Sequence, residues 1–403
     1  MSDINREDKS KLNVVKTTKP QKLGDSHLMR WERLFKNVKD ACVSIEALDA
    51  DRASNINGSG FIIKEKGSYY IITAASIVIK DISSSPYNYI IWDEIYALIS
   101  GINGTNKSRY YRLKLLAIDG VQNLAIMEIP YSHNNDLPKL HCHTHLKFSQ
   151  KNPKHGQLIA MVNYSTLDHQ SILTGIMVEP HHIQSTAMGP QTLLLCNFGS
   201  YISSYIGAPI FDASGHVIGV HIGRYNESSS LTVGTTNRIL CQFVHRYFNC
   251  SQYFSDFHYD GTLLSSTLGS YSRYLKGFIG IRADIFGSED DLKNYLPVGQ
   301  NWPNRNVTGA VIQLYDPRGG WIKSGLPNDK RYVLLKINGR ELGTVEDGEI
   351  SVADITWDLL PGEKIKVVYC SLADFFTSTT YVQTDLTLED WPTEYDVVRS
   401  FIS

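Results

Sequence analysis

The sequence predicts a mainly β protein, in which a region of barrel or sandwich type precedes a smaller α+β unit. Between residues 42 and 236, many short runs of apolar and β-branched residues alternate with Gly, Pro, Asn and Ser. The centres of these runs lie roughly ten to twenty residues apart, which favours an antiparallel all-β arrangement over alternating β and α units. Helical periodicity flanks the region, in HLMRWERLFKNVKDA at 27–41 and NRILCQFVHRYF at 237–248.

Composition limits the functional classes. The chain has 403 residues, 42% hydrophobic and 20% charged, with a formal net charge of −2. This length predicts two or three domains, and the charge excludes a globally basic nucleic-acid binder. The sequence contains no apolar run of about 18 residues and no apolar secretory signal, and its six cysteines form no C-x-x-C pair. We therefore expect reduced thiols and a cytoplasmic location, or a location inside a virus particle.

Changes in composition divide the chain into five segments. A lysine-bearing arm at 1–25 precedes the β region at 26–250. Ser, Tyr, Asp and Gly dominate 251–273, which we interpret as a linker. A second compact unit at 274–372 alternates strand-type runs with a helix predicted at VADITWDLL, and a tail at 373–403 completes the chain.

Three fragments of the β region occur in an informative order. The first is GSGFII at 58–63, followed by YIITAASIV at 70–78. The second is DGVQNLAIMEI at 119–129. The third is SSYIGAPIF at 203–211, followed by GHVIGV at 215–220. In sequence and order these fragments resemble the motifs of trypsin-like serine proteases, specifically the HtrA/Deg branch that carries a PDZ domain after the protease domain.

The resemblance covers roughly residues 27–372 and implies a fold. Members of this branch have a chymotrypsin-like double six-stranded β-barrel followed by a PDZ-like α+β domain. We therefore expect a trypsin-like double β-barrel, inactive for the reasons given next, at 26–250 and the PDZ-like domain at 274–372.

The chain departs from the family at every catalytic position. Ser76 stands where the family has its general-base histidine, Asn123 where it has the orienting aspartate, and Ile206 where it has the nucleophilic serine. Hydrolysis through an activated serine needs an alcohol, a base and a group that orients the base. Ser204 and Tyr205 replace residues of the oxyanion loop, which we predict to be degenerate as well.

These departures predict a pseudoprotease that is not an enzyme and needs no cofactor. The alternative is a shifted alignment in which Ser203 or Ser204 is a displaced nucleophile of an atypical serine peptidase.

The second unit carries a candidate peptide-binding loop. The run GFIGI matches the carboxylate-binding loop of the family's PDZ domain and the strand that follows it; its residues are Gly277, Phe278, Ile279, Gly280 and Ile281. In such a domain an extended peptide adds as a strand beside the edge at 279–283. The alternative is that the unit packs against the barrels, with this edge occupied by the same chain.

Two groups of histidines were considered as ligands. His141, His143 and His145 alternate, so on a strand they would share one face and could bind Zn²⁺ or Cu²⁺. A polar edge strand explains the same pattern, and we predict no metal site. His216 and His221 follow the third fragment, and we predict them to be surface or groove residues.

The function expected from the sequence is that of a non-catalytic protein that binds peptides or proteins, or that serves as a structural assembly component, for instance of a virus particle. The resemblance implies a homo-oligomer, commonly a trimer, with contacts from 26–39. Trp31 and Phe35 are the candidate apolar anchors, unless they cover the barrel of their own chain. A holdase chaperone is a further alternative. We expect neither nucleic acid nor a membrane as a partner.

Overall fold

The computed structural model describes most of the chain, and β-strands dominate it. The described residues are 23–82, 89–99, 108–129, 145–164, 170–186, 189–199, 203–225, 230–257, 271–286, 308–345, 348–350, 352–356, 359–377 and 381–390. Among the helices of these segments, none combines the length and the apolar character that crossing a membrane requires. His141 and His143, considered above as metal ligands, lie outside the described residues.

The first part of the chain forms a barrel. Its strands, with a small separate ribbon β4–β5, are β1 (Cys42–Leu48), β2 (Asn55–Glu65), β3 (Ser68–Thr73), β4 (Ile79–Ile82), β5 (Tyr89–Ile91), β6 (Glu94–Ile99), β7 (Arg109–Arg112), β8 (Lys114–Asp119) and β9 (Leu124–Glu128). Hydrogen bonds connect them in the order β8-β9-β3-β2-β1-β6-β7. Only Leu113 separates β7 from β8, and its N–H donates to Ile95 O at 2.7 Å. Strands β7 and β8 therefore form one continuous extended segment, which pairs with β6 through β7 and with β9 through β8. The sheet closes on itself through this segment as a six-stranded barrel.

The second part forms a closed six-stranded barrel in the order β10-β11-β12-β15-β14-β13. These strands are β10 (Leu158–Tyr164), β11 (Gln170–Thr186), β12 (Gly189–Asn197), β13 (Pro209–Asp212), β14 (Val217–Arg224) and β15 (Leu231–Thr236). Leu193, Leu195, Ile222 and Val233 of this barrel share one buried cluster with Ile45 and other residues of the first barrel. The two barrels therefore pack through a common apolar interface.

Helices pack on the barrels and between them. They are α1 (Leu23–Val38), the one-turn α2 (Ala75–Val78) after β3, and α3 (Asn237–Asn249). Leu34 and Val38 of α1 are buried in the same apolar cluster as Phe243 of α3. Trp31 and Phe35 are half-buried against this cluster, so these two predicted anchors cover the barrels of their own chain.

A hairpin connects the barrels to the C-terminal unit. Its strands are β16 (Phe254–Phe257) and β17 (Tyr271–Tyr274), and β17 pairs in parallel with β8, Arg273 facing Ile118. The segment interpreted as a linker at 251–273 thus contributes two strands to the sheet of the first barrel. Aromatic side chains explain this docking, because Tyr274 and Phe254 contact each other, and both contact Phe243 of α3.

The C-terminal unit consists of one main β-sheet, several short strand pairs and three short helices among its described residues. Its elements are β18 (Gly277–Phe278), β19 (Ile281–Phe286), β20 (Gly309–Tyr315), α4 (Gly320–Lys323), β21 (Tyr332–Ile337), β22 (Arg340–Glu341), β23 (Gly343–Val345), β24 (Gly348–Ile350), α5 (Val352–Thr356), β25 (Lys364–Ser371), α6 (Leu372–Thr377), β26 (Val382–Thr387) and β27 (Glu389–Asp390). The main sheet has the order β19-β20-β21-β25-β26, and β22 pairs with β21. Trp321 of α4 lies fully buried in the core beneath this sheet.

Part of the segment interpreted as a tail at 373–403 belongs to this unit. Strand β26 pairs along β25, and β27 pairs with β18, Asp390 facing Gly277. The apolar residues Leu386 and Leu388 are buried in the core of the unit, which accounts for the order of this segment. Strand pairing therefore extends the C-terminal unit to residue 390.

Phe278 connects the C-terminal unit to the barrels. Its ring is 1% exposed and lies in the apolar cluster with Phe243 and Tyr274, rather than in the core of its own unit. We expect Phe278→Ala to lower the free energy of unfolding by about 3–5 kcal/mol, because it leaves a cavity in a closely packed cluster. Chemical denaturation followed by tryptophan fluorescence measures this difference.

The control for this measurement is Tyr110→Ala, because Tyr110 is 60% exposed and its truncation opens no cavity. We expect a change within about 0.5 kcal/mol for this variant. Equal stability of the Phe278 variant and the unsubstituted protein would contradict the packing described here.

Candidate functional site

The three positions that departed from the protease pattern meet between the two barrels. Ser76 lies on α2, directly after β3, and Asn123 ends the turn between β8 and β9. Ile206 follows a 3-10 helix at Ser203–Tyr205 and precedes β13 of the second barrel. Ile206 and Ile77, the residue after Ser76, pack in the same apolar cluster at the barrel interface. The structure therefore brings the three predicted positions into one cleft.

Ser76 and Asn123 form a hydrogen-bonded pair. The backbone N–H of Ser76 donates to Asn123 Oδ1 at 2.8 Å, and Asn123 Nδ2 donates to Ser76 Oγ at 3.3 Å. A further bond joins Ala75 N to Asn123 O at 3.2 Å. Both side chains are buried, and neither is a base at neutral pH, so the pair is a neutral structural contact.

Asn123 adopts a backbone conformation that suits this role. Its φ is +55°, in the left-handed region where asparagine is more readily accommodated than most residues. The tight turn presents both the backbone carbonyl and the side-chain amide to the start of α2. Asparagine at this position can therefore adopt the backbone conformation of the turn and also accept the N–H groups of Ala75 and Ser76 at the start of α2.

The loop at 203–207 is held on the first barrel by hydrogen bonds. Ser59 N donates to Ile206 O at 2.8 Å, and Ser59 Oγ donates to Ser204 O at 2.7 Å. Gly207 has a φ of +86°, and a Cβ at this position would overlap Ser59 O and Thr73 Oγ1. Only glycine allows this approach of the two barrels.

The N–H of Ile206, a candidate oxyanion donor, points into its own loop. It donates to Ser203 O at 3.0 Å, closing the 3-10 turn. An oxyanion hole needs this donor aimed at the place where a substrate oxygen develops charge. In the structure as it stands, the donor is already occupied.

Tyr205 anchors the loop on its other side. Its ring is buried in the core of the second barrel, and its hydroxyl lies 2.8 Å from Ser171 Oγ. Burial raises the pKa of the Tyr205 phenol, and the bond to Ser171 opposes that shift. Tyr205 therefore acts as a neutral packing residue.

His221 corrects the expectation of a surface or groove residue. It is fully buried on β14, beside the loop: Gly207 N donates to His221 O at 2.8 Å and His221 N donates to Ala208 O at 2.9 Å. Burial lowers the pKa of the imidazole to about 4, while backbone hydrogen bonds with Tyr205 and Gly223 act in the opposite direction. The alternating strand pattern did not reveal this, because β14 is buried on both of its faces from Val217 to Gly223.

The other histidines that the structure describes do not converge on a shared ligand site. His216 remains partly exposed, in agreement with the prediction for that residue, and His145 lies in the short segment before Ser149. Within the described part of the chain, no group of three potential ligands of the His, Cys, Asp or Glu type converges. His141 and His143 lie outside the described part of the chain. The prediction that the alternating triplet binds no metal therefore stays a prediction.

The candidate peptide-binding loop is largely buried. Phe278, Ile279, Gly280 and Ile281 are all inaccessible, and Ile279 O and Gly280 O accept the N–H groups of Trp321 and Asp316 at 2.8 Å. Strand β19 lies at the end of the main sheet, and β12 of the second barrel packs against both β19 and α5. This packing favours the alternative in which the unit rests on the barrels of its own chain.

Burial of His221 makes the stability of the fold depend on pH. Its pKa of about 4 in the fold lies below the ordinary 6.5, so the unfolded chain binds a proton first as the pH falls. We expect the free energy of unfolding to fall by about 3 kcal/mol on account of His221 as the pH is lowered from 6.5 to 4. The variant His221→Gln should not show this decrease. Thermal or chemical denaturation at several pH values measures it.

Asp119 affects the pH dependence of stability in the direction opposite to His221. A variant at this position is therefore the matched comparison for His221→Gln. Burial raises the pKa of its carboxyl to about 6, against the attraction of Lys276 and the N–H of Gln122. The fold therefore binds this proton first, and stability rises as the pH falls from 6 toward 3.8. We expect Asp119→Asn to make the free energy of unfolding fall more steeply as the pH is lowered, whereas His221→Gln makes it fall less steeply. Identical pH profiles of stability for the His221 variant and the unsubstituted protein would refute the assignment.

Comparison with known proteins agrees with this geometry. Residues 58–220 match the profile of the trypsin-like peptidase domain family. No curated protein sequence matches the chain. The similar solved structures include the HtrA-type protease AlgW with a tripeptide, at a TM-score of 0.59 and 14% identity over 90% of this chain and 97% of that chain.

Two further structures give the same result. AlgW with a decapeptide has a TM-score of 0.57 and 12% identity, over 90% of this chain and 99% of that chain. The serine endoprotease from Yersinia pestis has a TM-score of 0.54 and 13% identity, over 90% and 98%. The predicted fold class, a mainly β protein with the double β-barrel of trypsin-like proteases, is confirmed, whereas the PDZ-like character of the C-terminal unit stays a prediction. Residues 58–220 are thus similar to the trypsin-like peptidase domain family, and the chain has the fold of HtrA-type proteases.

Proposed function

We propose that this chain is a non-catalytic pseudoprotease that acts by binding proteins or peptides, or as a structural assembly component. The observation that carries the proposal is Ile206, a hydrocarbon side chain at the position from which a nucleophile would attack. Ser76 and Asn123 support it, because a neutral hydroxyl and a neutral amide stand where a base and its carboxylate would act.

The main alternative is an atypical peptidase that uses a different base. His221 favours this alternative by its position, since its strand pairs with Gly207 and Ala208 of the loop. However, an imidazole with a pKa of about 4 is a weak base at neutral pH. Ser204, the displaced nucleophile considered above, is buried, and its carbonyl accepts Ser59 Oγ. These properties make proton abstraction from Ser204 unfavourable.

A fluorophosphonate probe tests catalytic inactivity. We expect no stoichiometric labelling of the purified protein and no cleavage of casein, with trypsin as the positive control, because no activated hydroxyl is available. Labelling followed by mass spectrometry identifies any modified serine. Stoichiometric labelling of any serine would overturn the proposal, and its loss in Ser203→Ala, Ser204→Ala or His221→Gln would support the atypical peptidase.

The C-terminal unit is the proposed partner-binding element. The AlgW structures contain a tripeptide or a decapeptide, which supports peptide binding as a use of this architecture. In the present chain β12 lies against β19, so a peptide adding as a strand at 279–283 would have to displace β12 or bind beside it. We therefore propose a groove that is closed in the resting protein. Suppressed aggregation of an unfolded client without cleavage would instead favour a holdase.

The assembly role makes a prediction about oligomeric state. We expect a homo-oligomer, with a trimer as the form implied by the protease fold, because a structural component acts through contacts between copies. Mass photometry at nanomolar concentration and light scattering at micromolar concentration measure the mass. A monomer of 45.4 kDa at both concentrations would contradict the assembly role but leave catalytic inactivity unaffected.

A further inference from the structure

A cavity of about 570 Å³ lies away from the inter-barrel cleft, between α1, the segment at 145–147 and the turn that joins β13 to β14. Its polar lining comes from six residues, which are Arg33, Asn37, His145, Lys147, Ser214 and His216. The volume falls within the range of about 300–1,000 Å³ that is usual for small-molecule sites. The cavity is separate from the proposed peptide-binding edge at 279–283, although its α1 wall belongs to the segment 26–39 that is expected to contact other copies.

The walls of the cavity are held by packing and backbone hydrogen bonds. Leu34 and Val38 of α1 form an apolar floor, and a Cβ on Gly215 would lie 3.3 Å from Leu34 Cδ1. Val217 N donates to Lys147 O at 2.9 Å, which joins the segment at 145–147 to the start of β14. Leu146 N donates to Ile62 O at 2.9 Å. The cavity is therefore a preformed feature of packed elements.

The polar lining is cationic or able to donate hydrogen bonds. Arg33 and Lys147 carry fixed positive charges, and both are exposed at the cavity. Among the described residues that line the cavity, no carboxylate occurs, although acidic residues outnumber basic ones in the chain, 41 to 39. The lining thus has a local charge opposite to that of the whole protein.

Two acidic side chains close to the lining in sequence, Asp212 and Glu32, already have partners. Asp212 Oδ1 accepts the N–H groups of Ser214 and His216 at 2.8 and 3.1 Å, and lies 3.9 Å from His216 Nδ1. Glu32, beside Arg33 on α1, pairs with Lys36 at 2.7 Å. These contacts orient the turn and the helix face, and they leave Arg33 and Lys147 to face the cavity.

We propose that this cavity binds a small phosphate-bearing anion. A guanidinium can donate two parallel hydrogen bonds to phosphate oxygens, and an ammonium adds a compact charge. The side chains of Asn37 and Ser214 can donate to further oxygens of the same group. The apolar floor leaves space for an organic portion, so a free polyphosphate and a nucleotide are the two sources of this chemistry.

Isothermal titration calorimetry of the full chain tests the site, with pyrophosphate, ADP and citrate as separate ligands. We expect saturable binding of pyrophosphate or ADP that weakens by about tenfold or more in Arg33→Gln/Lys147→Gln, because two charge-assisted contacts are lost. The matched control is Lys364→Gln/Lys366→Gln, which removes the same charge from exposed positions on β25 and should change the affinity less than about twofold.

The ligand series decides between sources and can refute the proposal. Tighter binding of ADP indicates a nucleotide, and tighter binding of pyrophosphate indicates a free polyphosphate. Equal affinity for citrate, equal weakening in both double variants, or no saturable binding would overturn it. Because all four substituted side chains are exposed, a thermal melt suffices to confirm folding. Hydrogen exchange should show protection by the ligand at 213–216 and in α1.

Discussion

The close approach of the loop at 203–207 to the first barrel is the contact on which the rest of the site depends. Gly207 lies against Ser59 O and Thr73 Oγ1, at a φ that a side chain would rarely adopt. Ser59 donates its N–H to Ile206 and its hydroxyl to Ser204. Through these bonds the second barrel holds Ile206 next to α2. These contacts hold the hydrocarbon side chain of Ile206 at the interface between the barrels.

Neutrality is the second property of the cleft. A charged base and carboxylate buried at this interface would need solvation or strong partners, since burying an unpaired ion is costly. Ser76 and Asn123 instead satisfy each other's hydrogen bonds, and the low pKa keeps His221 uncharged at neutral pH. The interface between the barrels can therefore pack as an apolar core with paired polar groups. This arrangement is compatible with a scaffold whose cleft has a structural role.

The C-terminal unit is integrated into the barrels at several points. Strand β17 extends the first barrel's sheet, Phe278 enters its apolar cluster, and β12 packs on β19. A buried group of charges accompanies this junction, because Lys276 and Arg273 both lower the pKa of Asp119 against the effect of burial. Displacing the unit to open its edge strand would therefore expose apolar surface and separate paired charges. That cost is the physical reason why we propose a groove that is closed at rest.

The sequence by itself determined many of the secondary-structure elements and the residue types at the positions that resemble a catalytic triad. The runs CVSIEAL and NRILCQFVHRYF coincide with β1 and nearly with α3, because strong periodicity and local punctuation specify such elements. The identities of Ser76, Asn123 and Ile206 predict that the usual catalytic groups are absent from these three positions. Only the tertiary structure decided that β16, β17 and β26 join existing sheets, that His221 is buried, and that the Ile206 N–H turns inward. Strand pairing, bulges and burial depend on residues far apart in the chain, so no local pattern could specify them.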